Sequence, residues 1–250
     1  MTPRWVVRRQ SRPVGGASLY CFPHAGGSPG EFVRWSDELP EMQVWGVHLP
    51  GRTTRTAEAP FTQMEPLVDA FVSATSFDPP FVFFGHSLGA LTAFEVTREL
   101  RRRGRRQPNG LILSSCPAPP LPATRSALSG VPDAVLLDEI ARRWGESMDY
   151  LRGDTALRAS TLACYRADLA VLENYRYRRE PPLECPIVIL RGTAEPSVAS
   201  PEQWAQHTRG PVHRQLVAGG HFHFRQERRA VLRLLREFVL GTGGDAEWTA

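Results

Sequence analysis

Lysine is missing from this chain of 250 residues, and all thirty of its basic residues are arginines. We interpret the skew as codon bias in a GC-rich genome, and the 26 acidic residues leave a formal net charge of only +4. The densest basic run, Arg101 to Arg106, lacks the interleaved aromatic side chains on which nucleic-acid bases stack. It follows a predicted helix, whose C-terminal end favours cations. We therefore expect no nucleic-acid partner.

Long apolar runs and paired cysteines are also missing. No apolar run approaches the roughly 20 residues that span a bilayer, and the N-terminus has no stretch of signal-peptide type. The four cysteines have neither metal-ligand nor disulfide spacing, and three of them lie in or beside apolar segments: Cys21, Cys116 and Cys185. We expect a cytoplasmic protein with no membrane partner and no bound metal.

The remaining pattern is an alternation of strand-like apolar segments with helical periodicity. This alternation predicts a mostly parallel sheet with helices on both faces. The length suffices for one α/β core with an insertion, so we predict a single domain over residues 1–250. The predicted strands are Leu19–Phe22, Val44–Val47, Phe81–Phe84, Leu111–Leu113, Ile187–Leu190 and, with a weaker pattern, His213–Val217, and a helix over Arg229–Leu240 closes the domain.

One connection in this pattern is unusually long. About seventy residues separate the strands near Ile112 and Ile189, far more than one crossover needs. The segment opens with several prolines, from Pro117 to Pro122, and then shows helical patterning over 134–144 and 157–175. Open α/β sheets bind their ligands at the carboxyl ends of the strands, where this connection would lie. We predict a mobile helical lid over residues 118–180.

The pentapeptide Gly-His-Ser-Leu-Gly at positions 85–89 lies between a buried strand and a helical pattern. A Gly-x-Ser-x-Gly in this context is the nucleophile elbow of an α/β hydrolase, a tight turn that needs small residues on both sides. The N-terminal N–H groups of the following helix point to where an oxyanion would form. The sequence therefore predicts an α/β-hydrolase fold with Ser87 as the nucleophile.

A serine nucleophile needs a base and an orienting acid, which follow it in the chain order serine, acid, histidine. His221 follows two glycines between the last strand and the closing helix, and we favour it as the base over His223, which lacks that Gly-Gly approach. The acid should follow the strand Ile187–Leu190, where Glu195 is the only carboxylate. The alternative is that Glu195 is a solvated loop residue and that another strand end supplies the acid.

A glycine-rich segment, Phe-Pro-His-Ala-Gly-Gly at positions 22–27, follows an early strand. Such segments form the oxyanion loops of lipases and esterases, and we expect the donors to be the backbone N–H groups of Ala25 and Leu88. The segment has neither a Gly-Lys-Ser/Thr sequel nor a Gly-x-Gly-x-x-Gly pattern, so it is not a phosphate loop. The alternative is a simple strand-to-helix turn.

Taken together, these segments resemble the type II thioesterases that accompany modular polyketide synthases and nonribosomal peptide synthetases. The resemblance runs from about Leu19 to Leu240, and its glycine loop and Leu-Pro-Gly-Arg segment are more specific than Gly-x-Ser-x-Gly. It rests on Phe22-Pro23-His24-Ala25-Gly26-Gly27, Trp35, Leu49-Pro50-Gly51-Arg52, Gly85-His86-Ser87-Leu88-Gly89, Arg166-Ala167-Asp168, Tyr175-Arg176-Tyr177 and Gly219-Gly220-His221-Phe222.

The resemblance implies hydrolysis of acyl groups from the phosphopantetheine arm of acyl or peptidyl carrier proteins, in trans, which clears stalled or mis-primed assembly lines. It implies no metal and no organic cofactor, and we expect a monomer. The family usually has aspartate directly before proline after the acid-bearing strand, whereas this chain has Glu195-Pro196. His223 also stands where the family more often has an aromatic residue.

Two other functions are compatible with the same motifs: a small-molecule esterase or lipase, and a noncatalytic binding protein of the hydrolase fold. The presence of both Ser87 and His221 argues against a mere binder. The glycine loop and the Leu-Pro-Gly-Arg segment favour the carrier-protein thioesterase. Because such carrier proteins are acidic, we expect Arg52 and Arg55 to form a basic rim that steers them by a salt-sensitive attraction, the alternative being a solvated surface.

Overall fold

The fold is organised around one sheet with helices on both of its faces. A computed structural model describes residues 5–9, 16–121, 127–151, 153–195 and 201–241. Seven strands lie in the order β1-β3-β2-β4-β5-β6-β7, and every neighbouring pair is parallel except β1 and β3. All six predicted strands are confirmed, and only the two-residue β1 was missed. The strands are β1 (Val6–Val7), β2 (Ser18–Phe22), β3 (Gln43–Val47), β4 (Phe81–His86), β5 (Gly110–Ser114), β6 (Ile187–Gly192) and β7 (Val212–Val217).

Helices cover both faces of the sheet. The helical patterns predicted from the sequence are found within two residues of their predicted bounds, whereas the helix over Met64–Ala74 was not predicted. None of the helices in the described ranges is long and apolar enough to cross a membrane. The α-helices are α1 (Pro29–Val33), α2 (Met64–Ala74), α3 (Leu88–Arg102), α4 (Asp133–Trp144), α5 (Thr155–Asn174), α6 (Pro201–Trp204), α7 (His223–Gln226) and α8 (Arg228–Gly241), and the 3₁₀ turns are Arg34–Asp37, Thr53–Arg55, Asp149–Leu151 and Ala205–His207.

Strand β4 shows how the two cores form. Side chains alternate across a strand, so Phe81 and Phe83 enter the core beneath α2 and α3, while Val82 and Phe84 enter the core beneath α1 and α8. All four side chains are fully or almost fully buried. Because both faces of the strand are covered, it is a continuous apolar run rather than an alternating one, as the sequence suggested.

The long connection between β5 and β6 contains α4 and α5, which share a small apolar cluster separate from the two main cores. Helix α4 ends at Gly145, whose φ of +69° is the left-handed conformation that favours glycine. Helix α5 begins after Asp154, whose carboxylate accepts the backbone N–H of Leu157. Within the predicted lid, residues 122–126, which include Pro122, and residue 152 lie outside the described residues. The mobility of this segment stays a prediction.

Amide hydrogen exchange tests that mobility. We expect the amides of α4 and α5 to exchange faster than those of β4, because the buried apolar residues of these two helices lie mostly in their own small cluster, with Val171 of α5 reaching a main core, while β4 is buried on both faces. Exchange measured by mass spectrometry after proteolysis resolves the three elements. Equal protection in all three would contradict a mobile cover.

Candidate active site

Ser87 occupies the sharp turn between β4 and α3, with φ of 54° and ψ of −117°. A Cβ added to Gly85 would lie 2.3 Å from the carbonyl oxygen of Gly89, and one added to Gly89 would lie 2.1 Å from the carbonyl oxygen of Phe22. Both contacts are with backbone, so neither position tolerates a side chain. The turn is fixed further by the backbone N–H of Ser87, which donates to the carbonyl of Ser114 at 2.8 Å. These contacts hold a half-buried serine in a strained conformation at the carboxyl end of the sheet.

Glu195 and His221 form a hydrogen-bonded pair beside this turn. His221 Nδ1 lies 2.6 Å from Glu195 Oε1, and the His221 ring lies 4.8 Å from the ring of His86, the residue before Ser87. The other carboxylate oxygen, Oε2, accepts the hydroxyl of Ser115 at 2.7 Å. Glu195 is 9% exposed, so the alternative of a solvated loop glutamate is wrong.

Burial raises the pKa of the Glu195 carboxyl, but hydrogen bonds from His221 and Ser115 lower it, and the net pKa lies below its ordinary value. Glu195 is therefore ionised at neutral pH. An anionic acceptor on Nδ1 keeps the imidazole proton of His221 on that nitrogen. The lone pair of Nε2 is then available to accept a proton.

His223, the rival base, occupies a different place. It is fully buried, and its Nε2 lies 3.3 Å from the hydroxyl of Ser114, which also contacts His86 Nδ1 at 2.9 Å. Burial lowers the pKa of His223, and it lowers the pKa of His86 well below the ordinary value. The imidazole that pairs with Glu195 is thus that of His221, while His223 belongs to an internal chain of polar groups behind the site.

The glycine loop at positions 22–27 lies against the N-terminus of α3. Strands β2 and β4 are neighbours with Phe22 opposite Gly85, and the carbonyls of Phe22 and Pro23 face Gly89 in the first turn of α3. This register brings the loop containing Ala25 to the same edge of the sheet as Leu88. Their use as oxyanion donors stays a prediction.

Arg52 and Arg55 do not form the predicted basic rim. Each is 6% exposed, and each is held by a carboxylate, the buried Asp168 for Arg52 and the partly exposed Glu58 for Arg55. Arg55 also lies over the ring of Trp5 at 4.4 Å. The prediction of a steering surface at these two arginines is wrong, because their guanidinium groups satisfy buried acceptors rather than facing solvent.

Asp168 contacts the glycine loop directly, which the sequence reasoning missed. Its carboxylate accepts the backbone N–H of Gly26 at 2.7 Å as well as the guanidinium of Arg52. Arg52 and Asp168 both lie in segments that carried the family resemblance. A charged residue in each of these segments was the available signal that the two deserved comparison, although it did not show that they meet.

The run Arg101 to Arg106 lies at the far end of α3, as predicted. Arg101 and Arg102 pair with Glu180, Arg103 pairs with Glu99, and Arg105 donates to backbone carbonyls after α2. These contacts tie α3 to its neighbours, which fits the expectation that the run has a structural role.

A metal site is not found among the described residues, where no three His, Cys, Asp or Glu side chains converge. All four cysteines are buried and none of them forms a disulfide, so the prediction that Cys21, Cys116 and Cys185 are core residues is confirmed. That catalysis needs no cofactor stays a prediction.

Several proteins that are similar to this chain in sequence or structure are thioesterases. Residues 17–239 match the family model described as thioesterase domain. The chain is 35% identical to thioesterase PikA5 of Streptomyces venezuelae over 96% of this chain and 87% of PikA5. It is 30% identical to the gramicidin S biosynthesis protein GrsT of Aneurinibacillus migulanus over 93% of this chain and 92% of GrsT. The solved structure of the type II thioesterase BorB from the borrelidin biosynthetic cluster superposes with a TM-score of 0.81 at 30% identity, covering 94% of this chain and 96% of BorB.

The chain therefore belongs to the thioesterase family and is a hydrolase of the α/β-hydrolase fold. The predicted fold class and the predicted resemblance to the type II thioesterases of polyketide and nonribosomal peptide pathways are both confirmed.

The lowered pKa of Glu195 gives a testable dependence of stability on pH. A carboxylate whose pKa is depressed by folding stabilises the fold above its ordinary pKa of 4.5, and this contribution is lost as the pH falls through the folded value. The free energy of unfolding of Glu195→Gln should therefore differ from that of the parent most at pH 7 and progressively less below pH 4.5. Urea titrations at several pH values measure this difference. A constant difference across the range would contradict a pKa of Glu195 that folding lowers.

Proposed function

We propose that this protein hydrolyses acyl thioesters from the phosphopantetheine arm of acyl or peptidyl carrier proteins, acting in trans to clear stalled or mis-primed assembly lines. The observation that carries the proposal is the buried Glu195–His221 pair beside the strained Ser87 turn. Membership of the thioesterase family supplies the substrate class. The gramicidin S protein and the borrelidin-cluster thioesterase among its relatives support an assembly-line setting.

In the proposed first step, Ser87 Oγ attacks the thioester carbonyl while His221 Nε2 accepts the serine proton. Glu195 stabilises the imidazolium that forms and holds its ring orientation. The carbonyl oxygen becomes an oxyanion that the backbone N–H groups of Ala25 and Leu88 bind. The tetrahedral intermediate then expels the pantetheine thiolate, a good leaving group, which takes the proton from His221. An acyl-enzyme remains on Ser87, and the neutral imidazole of His221 can act as a base again.

In the second step, His221 takes a proton from water, which attacks the acyl-enzyme carbonyl. A second tetrahedral intermediate collapses, the bond to Ser87 Oγ breaks, and the serine regains its proton from His221. The products are a free acid and a carrier protein with a free thiol. In these two steps, side chains and backbone N–H groups transfer every proton and stabilise every charge. We therefore propose that no metal or organic cofactor takes part.

The partners that follow are acyl or peptidyl carrier protein domains, and we propose that the thioesterase meets them as a cytoplasmic monomer. The predicted lid, placed between β5 and β6, would exclude water and admit the pantetheine arm. A small-molecule esterase would use the same groups. The substrate, rather than the catalytic residues, separates these two functions.

Rates on two substrates test the proposal. We expect kcat/KM for an acyl group on a phosphopantetheinylated carrier protein to exceed that for the same acyl group as a p-nitrophenyl ester, despite the better leaving group of the ester. Faster turnover of the free ester would favour the small-molecule esterase. Turnover of neither substrate would favour the noncatalytic binding protein.

Two serine variants test the assignment of the nucleophile. Ser87→Ala should lower kcat by about 10³-fold or more, because no other group can form the acyl-enzyme. Ser114→Ala removes a buried hydroxyl that contacts His86 and His223, and it should retain most of the activity. Circular dichroism confirms that both variants fold. His221→Ala should match Ser87→Ala in severity, and the assignment fails if Ser87→Ala keeps near-normal turnover.

A further inference from the structure

A buried ion pair lies beside the glycine loop and binds it through two of its atoms. Asp168 Oδ1 accepts one arm of the Arg52 guanidinium at 2.7 Å, and Oδ2 accepts the other arm at 2.9 Å. The same Oδ2 accepts the backbone N–H of Gly26 at 2.7 Å, and Arg52 donates to the carbonyl of Gly27 at 2.9 Å. The pair therefore connects helix α5 and the segment after β3 to two successive residues of the loop.

Stability alone is a poor reason for this arrangement. The side chains of Arg52 and Asp168 are only 6% and 4% exposed, and Arg52 Nε is buried without a hydrogen-bond partner in the part of the chain that the structure describes. Burial lowers the pKa of Arg52, but Asp168 more than offsets this, so the guanidinium remains charged. Replacing a buried ion pair by apolar residues of similar size is often neutral or stabilising. The contacts of the pair with the loop backbone are what apolar residues could not reproduce.

The peptide group between Ala25 and Gly26 is bound at both ends. Its carbonyl oxygen lies 2.9 Å from His24 Nδ1, and its N–H donates to Asp168. Because a peptide group is planar, fixing both ends fixes its orientation and thereby the direction of the adjoining backbone. The opposite side of the loop is closed as well: a Cβ on Gly26, whose φ is +72°, would lie 2.1 Å from the ring of Tyr165.

We propose that Arg52 and Asp168 are positioning residues that hold the backbone N–H of Ala25 in the direction of the oxyanion. The inference rests on the proposed function, in which that N–H binds the oxyanion. Electrostatic stabilisation of this kind depends on donors that are oriented before the reaction, since a donor that must reorganise contributes less to lowering the barrier. The pair affects the reaction through Gly26 and Gly27 and does not contact the substrate.

The experiment compares Arg52→Lys with Arg55→Lys. Lysine keeps the charge but cannot bind both carboxylate oxygens and the Gly27 carbonyl in one plane. Arg55 is the matched control: it is equally buried and paired with a carboxylate, but it contacts Glu58 and the His48 carbonyl rather than the glycine loop. The thermal midpoint, kcat and KM are measured for both variants and the parent.

A second readout reports on the oxyanion alone. A serine nucleophile adds to an alkyl trifluoromethyl ketone: the bond from Ser87 Oγ to the carbonyl carbon forms, the carbonyl π bond breaks, and His221 takes the proton. The resulting oxyanion occupies the proposed hole. The corresponding trifluoromethyl alcohol fills the same space and cannot be attacked. Dissociation constants for the two compounds separate oxyanion binding from binding of the chain.

For Arg52→Lys we expect kcat to fall about tenfold to a hundredfold, as misplacement of one donor predicts. KM should change by less than about threefold, because substrate binding is not altered. Affinity for the ketone should fall by the same factor as kcat, with affinity for the alcohol unchanged. Arg55→Lys should lose comparable thermal stability and keep the parent kcat and ketone affinity.

The proposal is overturned if Arg52→Lys keeps the parent kcat, or if the two arginine variants lose activity equally in proportion to their stability. Should Arg52→Lys not fold, Asp168→Asn takes its place, since asparagine still offers Gly26 an acceptor but no longer pairs with both arms of Arg52. Failure of the proposed function would differ from both results, because the parent protein itself would then not hydrolyse the carrier-protein thioester, whichever arginine is changed.

Discussion

The close approach of the glycine loop to the first turn of α3 is the constraint on which the rest of this structure depends. The carbonyl of Phe22 occupies the space that any side chain at Gly89 would need. This contact lets β2 and β4 end at the same level, with Ser87 in the turn between sheet and helix and Ala25 across from it. Backbone packing therefore places the turn that carries Ser87, while His221 and the glycine loop are positioned in addition by the carboxylates of Glu195 and Asp168.

Charge inside this protein is arranged as separate pairs, each with a distinct task. Glu195 accepts hydrogen bonds from His221 and Ser115, which keep it ionised despite burial. Asp168 forms an ion pair with Arg52. Its Oδ2 accepts a hydrogen bond from the Arg52 guanidinium and another from the backbone N–H of Gly26 in the glycine loop. In a low-dielectric interior an unmatched carboxylate would take up a proton, so the hydrogen bonds to Glu195 are a condition for it to act as an anion. The basic composition of the chain thus reflects internal pairing as well as surface charge.

Local pattern predicted most of the fold, because buried parallel strands are short apolar runs and the helices between them keep a helical period. It also led to Ser87, Glu195 and His221 as candidates, since their order along the chain follows from the order of strand ends. It could not predict that Arg52 and Asp168 meet, because 116 residues separate them and nothing local distinguishes a buried arginine from a solvated one. The two-residue β1 is too short to show a period. Helix α2 was not predicted, although its buried residues Leu67, Val68, Phe71 and Val72 follow a helical period.

Helix α5 lies within the connection between β5 and β6, yet it supplies Asp168 and Tyr165 to the floor of the glycine loop. This has a consequence for protein engineering. Exchanging the whole connection with that of a relative, to alter acyl-chain preference, would also exchange two residues that the loop requires. A chimera should therefore be joined on either side of α4, leaving α5 with its native sheet, so that α4 changes while the two residues that support the glycine loop do not.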